Sequence, residues 1–305
     1  MEKHRKKLIK NAAVFDGHSS GLAHGKKIVI EDDLVTEITG DEVSEENFGE
    51  VFDGTGMVAM PGMTDAHVHM GCLFAKGEFP VDYATVLTVA KCKDALMAGF
   101  TTFRDAGSVS EGLKLAFDEG VLPGPRIYPC GAYISQTCGH GDSEYAHTYR
   151  DIQYRHPSST VLADGVPEII RAVREQFYRG ASHIKLMATE ILNRHEDIRL
   201  LFGTDMMITG PDYQVEQSED IRYYEKRFGT MRALRALTGT ANEVFALTTY
   251  QNPYPKGKIG VLEAGSYADL LLVDGDPTRS VLVLADTDHL RLIMKGGTVY
   301  KNTLC

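Results

Sequence analysis

The sequence predicts an α/β protein in which a parallel sheet is flanked by a small β domain. The middle of the 305-residue chain alternates strand patterns with helix patterns, and both ends consist of short strands broken by glycine-rich turns. Alternation of strands and helices is typical of βαβ units around a parallel sheet. Two similar ends around a different middle indicate that the termini meet in one β domain.

The elements of the middle region follow from hydrophobic periodicity and from turn residues. Strands are predicted at residues 58–70, 100–107, 125–135, 183–188 and 199–205. Helices are predicted at residues 83–99, 112–120 and 166–180. Gly99 and Gly180 end the first and third helices, as glycine commonly does at a helix C-terminus.

Composition excludes several classes of protein. The net charge is −10, from 32 basic and 42 acidic residues, which argues against a partner that is a nucleic acid or an anionic membrane. A content of 43% hydrophobic residues is ordinary for a globular chain. No apolar run reaches the roughly 18 residues of a membrane span. Five scattered cysteines without a CxxC pair indicate thiols in a reducing compartment, so we expect a cytoplasmic protein: Cys72, Cys92, Cys130, Cys138 and Cys305.

A His-x-His pair stands at the end of the first strand of the middle region. His67 and His69 are two residues apart, so on a strand both side chains point to the same side, which Asp65 shares. Two imidazoles placed in this way can bind one metal ion. Such dipeptides also occur by chance on protein surfaces, but the C-terminal end of a strand is where α/β barrels assemble their sites.

Three further residues are candidates for chemistry. Lys185 lies in an apolar strand, where burial should lower the pKa of its amine unless the side chain reaches solvent or a carboxylate. A neutral lysine beside a metal can add carbon dioxide and become an anionic carbamate. Asp205 follows the last strand, either as a helix N-cap or as a metal ligand and base. His140, between two glycines, is either a substrate contact or a surface histidine.

These motifs together resemble the amidohydrolase superfamily of metal-dependent hydrolases. The resemblance rests on PGMTDAHVH, IKLMAT and FGTD in that order. GHGD, VREQFYRGASHIKLMAT and GSYADLLLVDGDP are similar to its imidazolonepropionase-like branch, which includes Xaa-Pro and Xaa-Arg dipeptidase-like enzymes. The resemblance implies a TIM-type (β/α) barrel at residues 58–249, with a composite β-sandwich made from residues 1–57 and 250–305.

The resemblance also implies a chemistry. One or two divalent ions, commonly zinc, would be held by His67, His69, Asp205 and a carboxylated Lys185, with carbon dioxide as the second cofactor. Metal-bound hydroxide would attack a carbon–nitrogen bond in a small amide or dipeptide, and Asp205 would move the proton to the leaving nitrogen. The sequence is compatible with a homo-oligomer.

The sequence departs from the family after residue 188. The family has histidines at the ends of its fifth and sixth barrel strands, whereas here the fourth strand leads within a few residues into the last one. Three βαβ steps are missing, on the order of 90 residues at about 30 each. The break falls near residues 189–191, and the barrel is therefore predicted to be incomplete. Neither His183 nor His195 stands in the place of the missing histidines, so we expect at most one metal ion.

Three explanations stay open at this point. The chain is an active hydrolase, with a cyclic-amide hydrolase or a deaminase as the alternative activity. It is a catalytically impaired or inactive remnant that retains at most one metal site. The third explanation is that about 90 residues of the molecule are absent from this sequence.

Overall fold

The computed structural model describes residues 6–70, 81–107, 111–139, 141–142, 160–187, 199–207 and 213–304. The strands are β1 (Lys6–Lys10), β2 (Ala13–Val14), β3 (Lys27–Glu31), β4 (Leu34–Thr39), β5 (Glu50–Asp53), β6 (Val58–Pro61), β7 (Met63–His69), β8 (Phe100–Asp105), β9 (Arg126–Tyr128), β10 (Tyr133–Ser135), β11 (Thr160–Leu162), β12 (Leu186–Met187), β13 (Met206–Met207), β14 (Leu270–Val273), β15 (Leu290–Lys295) and β16 (Thr298–Asn302). The α-helices are α1 (Val81–Met97), α2 (Glu111–Asp118), α3 (Gly165–Tyr178), α4 (Tyr213–Phe228), α5 (Thr230–Leu237) and α6 (Gly239–Phe245). Short 3-10 turns lie at Glu45–Asn47, Ala246–Gln251, Val281–Ala285 and Thr287–His289.

The two ends of the chain form a β-sandwich, as predicted. One sheet has the order β4-β3-β1-β5 and the other the order β16-β15-β14-β6-β2. The second sheet joins the termini directly, because C-terminal β14 pairs antiparallel with N-terminal β6. A shared apolar core lies between the sheets, to which Ile9, Ile30, Leu270 and Leu292 contribute. The boundaries at residues 57 and 250 stay a prediction.

Parallel strands form the middle of the chain, which confirms the predicted α/β class. One sheet has the order β13-β7-β8-β9, and all of its pairs are parallel. β13 is the last of these strands in the chain and β7 is the first, yet they are neighbours. First-to-last pairing is the arrangement that a barrel requires.

A second parallel sheet continues the region with the order β11-β10-β12. The predicted third strand, at residues 125–135, is divided into β9 and β10 around Pro129 and Gly131. Gly131 has a φ of +70°, a left-handed conformation that interrupts a strand. Within the described ranges the two parallel sheets are hydrogen-bonded separately, and a closed ring of eight strands is not among them.

The predicted helices of the middle region are confirmed as α1, α2 and α3. Gly99 and Gly180 follow α1 and α3 with φ values of +89° and +93°. The helices α4, α5 and α6 follow β13 and were not predicted. α5 packs one face into the main core through Ala233, Leu234, Ala236 and Leu237.

Two of the predicted strands differ from the structure. Of the strand predicted at 183–188, Leu186 and Met187 form β12, and residue 188 lies outside the described residues. The strand predicted at 199–205 is wrong, because regular pairing begins at Met206. Residues 202–205 nevertheless run beside β7: Ala66 donates its backbone N–H to the Phe202 carbonyl at 2.8 Å, and Asp205 donates its own to the His67 carbonyl at 2.7 Å.

A buried ion pair connects the parallel region to the sandwich. Arg126 at the start of β9 donates two hydrogen bonds to the Asp269 carboxylate, at 2.7 and 3.1 Å. The guanidinium also stacks 3.8 Å from the centre of the Tyr267 ring. Lys295 of β15 lies beside this pair, and its ammonium donates to the Gly124 carbonyl at 2.6 Å. Loss of one partner from a buried pair costs about 3–5 kcal/mol, so these contacts fix the two regions together.

No helix among the described residues is long and apolar enough to cross a membrane. Cys92 and Cys130 are buried free thiols, and Cys138 is an exposed one. The remaining two cysteines, Cys72 and Cys305, lie outside the described residues.

The burial of Lys295 makes the stability of the protein depend on pH. Burial lowers the pKa of its amine to about 8 from the ordinary 10.5, and the Asp269 carboxylate only partly offsets this effect. Between pH 8 and pH 10.5 the Lys295 amine is protonated in the unfolded chain and neutral in the folded chain. The free energy of unfolding therefore rises with pH across this range. We expect Lys295→Met to lose this rise, roughly 2–3 kcal/mol between pH 8 and 10.5.

Urea unfolding of both proteins across that range is the measurement, with Lys301→Met in the neighbouring strand as the control. A parallel pH dependence in Lys295→Met and the unsubstituted protein would contradict the account.

Candidate metal centre

The strand β7 delivers two histidines to one side of the sheet. His67 and His69 are separated by one residue at the C-terminal end of the strand, and their ring centres are 5.5 Å apart. The Nε2 atoms of both rings contact the same carboxylate oxygen, Oδ1 of Asp205, at 3.0 and 3.2 Å. The predicted convergence of these three residues is present in the structure.

The position of Asp205 depends on a close approach of two chain segments. Gly203 lies so near to β7 that a Cβ atom added there would be 2.7 Å from the Cβ of His67. Asp205 itself has a φ of +54°, which is uncommon for a residue other than glycine. Its side chain is 71% exposed, whereas those of His67 and His69 are 35% and 11% exposed. The carboxylate therefore stands on the solvent side of the two imidazoles.

Lys185 reaches the same place from the neighbouring sheet. It stands immediately before β12, and its Nζ lies 2.9 Å from Nε2 of His67. Burial is the main cause of a lowered pKa at Lys185, with the Asp205 charge acting in the opposite direction. Burial, followed by the Lys185 charge, lowers the pKa of His67 to about 4. Both shifts favour neutral nitrogen atoms, which are the forms that bind metals.

Arg104 adds a partly buried positive charge next to this group. Its guanidinium donates to the Ala66 carbonyl at 3.3 Å, and burial lowers the pKa of this arginine. Within the described ranges it forms no salt bridge to a carboxylate. Its charge contributes to the lowered pKa values of His67, Lys185 and His183. The interior next to Lys185 is thus electrostatically suited to an anion.

Two further residues that the structure describes, His183 and Asp65, are outside the converging group. His183 is partly buried, desolvation is the main cause that lowers its pKa to about 3, and its ring is hydrogen-bonded to the Asp105 backbone and the Ser182 hydroxyl. Asp65 shares the strand face as expected, but its carboxylate accepts hydrogen bonds from Thr204 instead. His140 and His195 lie outside the described residues.

The donor set fits a divalent ion such as zinc. In the part of the chain that the structure describes, one group of potential ligand atoms converges, and the atoms from His67, His69 and Asp205 lie within 4.8 Å of one another. Two neutral imidazoles and a carboxylate are the ligand types that zinc commonly takes. Sequence reasoning missed Arg104 and the contacts of Asp65. The arginine lies in a strand of mixed apolar and polar residues, FTTFRD, so no local pattern distinguishes it.

Comparison with known proteins identifies the class. Residues 58–198 match the amidohydrolase family. The chain therefore carries an amidohydrolase-family domain, which confirms the resemblance of the motifs. The ochratoxinase of Aspergillus niger is 34% identical over 152 residues, which is 43% of this chain and 31% of that enzyme. The chain thus matches about a third of the length of this curated relative.

Solved structures show a similar fold. A crystal structure of an amidohydrolase superposes with a TM-score of 0.84 at 23% identity, covering 98% of this chain and 100% of the other. A prolidase crystallised with N-methylphosphonate-L-proline gives 0.82 at 22% identity, covering 97% and 100%. These likenesses confirm the predicted fold class. The proposed loss of barrel strands stays a prediction.

Gly203 offers a test of how the centre is assembled. We expect Gly203→Ala to lower the unfolding free energy by about 1–3 kcal/mol and to weaken metal binding, because the added methyl group must push residues 203–205 away from His67. Gly112→Ala is the control, since a Cβ there meets open space. Zinc titration and urea unfolding are the measurements. Equal zinc affinity in both variants would contradict the proposed geometry.

Proposed function

We propose that this protein is a metal-dependent hydrolase of carbon–nitrogen bonds in small amides or dipeptides. One observation carries the proposal: His67, His69 and Asp205 converge at the C-terminal end of a parallel strand. The catalytic sites of (β/α) barrels lie at this end of their strands. The amidohydrolase-family domain supports the same chemistry.

The metal would be held by the Nε2 atoms of the two histidines and by the Asp205 carboxylate. A bound divalent ion supplies a Lewis acid and makes water nucleophilic near neutral pH. We expect one ion per chain, because the described residues offer one convergent group of three ligands. Zinc is the candidate that best suits two imidazoles and a carboxylate.

Lys185 would complete the centre as a carbamate. In this step the neutral amine adds carbon dioxide: a nitrogen–carbon bond forms, one proton leaves, and the side chain becomes an anion. Two features support the step: Nζ is 2.9 Å from the His67 ring, and burial favours the neutral amine. The partly buried Arg104 charge favours the anionic product. An unmodified ammonium here would instead repel both a metal ion and Arg104.

Asp205 is the residue that we assign to proton transfer. One of its oxygen atoms lies between the two imidazoles, and the side chain is exposed on the side from which a substrate must arrive. A carboxylate placed between metal ligands and solvent can take a proton from the attacking water and return it to the leaving nitrogen. General acid–base catalysis of this kind contributes about 10²–10⁴-fold to a rate.

The substrate class follows from the relatives and not from a pocket of the structure. The curated relative is named as an ochratoxinase, and one structural relative is a prolidase with a phosphonate analogue containing proline. We therefore propose N-acyl amino acids and proline dipeptides as the first compounds to test. Substrates of a deaminase follow, because a 5-methylthioadenosine/S-adenosylhomocysteine deaminase of Dictyoglomus turgidum is 31% identical over 70 residues. Cyclic amides are the remaining alternative.

A catalytically impaired, metal-binding remnant is the second candidate function. The observation that favours it is the edge of the sheet beside Lys185. Among the strands that the structure describes, β12 is at the edge of its sheet, and Leu186 in it is exposed. A substrate at such an edge would be poorly shielded from water. On this reading the chain binds one ion through the same residues without turnover.

A hydrolysis screen with and without chelator separates these functions. We expect the zinc-loaded protein to release amino acid from at least one compound, and dipicolinate to abolish the release. His67→Ala should lose both bound zinc and activity, whereas His24→Ala, at an exposed site of the sandwich, should keep both. Bound zinc without turnover would establish the remnant. Turnover that survives removal of the metal would exclude the mechanism.

The carbamate is tested through replacement of Lys185. Lys185→Ala removes the amine and should lower zinc affinity at least tenfold, since an anionic ligand is lost. Addition of propionate should restore a large part of the affinity by placing a carboxylate in the space left by the side chain. Lys185→Met fills that space and should not respond to propionate. Equal responses of both variants would argue against an anionic lysine.

A further inference from the structure

Asp65 is a fully buried carboxylate that stands two residues before the first histidine of the centre. Its Oδ1 accepts the backbone N–H of His67 at 3.2 Å and that of Thr204 at 3.3 Å. Its Oδ2 accepts the Thr204 hydroxyl at 2.9 Å and the side-chain amide of Gln217 at 3.4 Å. We call these residues (Asp65, Thr204 and Gln217) the Asp65 network. Hydrogen bonds to a charged acceptor are stronger than those between neutral groups.

The Asp65 network joins the two segments that supply the ligands. Asp65 belongs to the strand that carries His67 and His69, whereas Thr204 immediately precedes Asp205. The backbone adds a bond on the far side of Thr204, because the Asp205 N–H donates to the His67 carbonyl at 2.7 Å. Residue 204 is therefore held by its N–H and by its hydroxyl, and residue 205 by its own N–H.

This double attachment explains the backbone of Asp205. A non-glycine residue with a φ of +54° persists only where its surroundings determine the conformation. If Thr204 were free, Asp205 would relax towards the ordinary region, and its carboxylate would leave the two Nε2 atoms. In the observed conformation, Oδ1 of Asp205 is 3.0 Å from Nε2 of His67 and 3.2 Å from Nε2 of His69.

We propose that Asp65 is a positioning residue for the metal centre. Through Thr204 it sets the Asp205 carboxylate against His67 and His69, so that the ligands are arranged before an ion arrives. This inference rests on the proposed metal site, but it assigns a role to residues outside the ligand set. Loss of a residue that orients metal ligands through hydrogen bonds typically lowers metal affinity by about 10–100-fold.

The test removes one hydrogen bond at a time from Thr204 and measures metal binding apart from activity. Thr204→Val replaces the hydroxyl by a methyl group of the same shape, and Thr204→Ser keeps the hydroxyl. Zinc affinity is measured by competition with a chromophoric chelator, and the absorption bands of bound cobalt report ligand geometry. We expect Thr204→Val to weaken zinc binding about tenfold and to shift the cobalt bands, and Thr204→Ser to stay within about threefold of the parent.

A buried threonine outside the network is the matched control. Thr88 in α1 is buried, whereas Thr204 is partly exposed, and the Thr88 hydroxyl donates to the Ala84 carbonyl at 2.9 Å. Thr88→Val should lower the melting temperature without a change in zinc affinity. Asp65→Asn, as a second variant, should weaken zinc binding more than Thr204→Val, because an amide nitrogen replaces one accepting oxygen.

The outcomes separate the inference from the proposed function. The inference is supported if Thr204→Val binds zinc more weakly and shifts the cobalt bands. Thr88→Val and Thr204→Ser must then keep a zinc affinity near that of the parent. Parent-like affinity and spectrum in Thr204→Val overturn it while the proposed metal site stands. The same loss of affinity in Thr88→Val and Thr204→Val also overturns it, since that result reflects stability alone. A parent protein that binds no zinc overturns both.

Discussion

The pairing of β7 with residues 202–207 is the contact on which the rest of the parallel region depends. It joins segments 139 residues apart in the chain and makes the last strand a neighbour of the first. The ligands come from both segments, so the centre exists only where this pairing is formed. Long-range contacts of this kind cost chain entropy, which the buried Asp65 network and the tight approach at Gly203 help to offset.

Electrostatics gives the second constraint. One partly buried region contains three basic groups, from Lys185, Arg104 and His67. The Asp205 carboxylate lies on the solvent side of this region. Burial and mutual repulsion favour neutral lysine and histidine, whereas the arginine stays charged at any ordinary pH. An anion next to Lys185 relieves this imbalance, and a carbamate provides one without a further residue. The electrostatics and the ligand geometry therefore support the same centre.

Much of the centre could be predicted because its residues lie in strongly patterned strands. The spacing of His67 and His69 determines that both point to one side of β7, and the apolar neighbours of Lys185 indicate its burial. The shape of the chain around Asp205 could not be predicted, since it depends on a close approach that Gly203 permits and that no local pattern reports. The role of Asp65 was missed for the same reason: its partner Thr204 is distant in sequence.

The fold, too, could be predicted only in part. Helix periodicity located α3, but the exposure of Ile169 and Ile170 on it could not be predicted, because periodicity identifies an apolar face and not what covers it.

The central claim is that one divalent ion binds where His67, His69 and Asp205 meet. Anomalous diffraction from crystals soaked in zinc, recorded on both sides of the zinc edge, tests it most directly. The account predicts one strong peak per chain, about 2.0–2.2 Å from both Nε2 atoms and from an oxygen of Asp205. No peak between these residues, or a second peak of similar height beside it, would contradict the account.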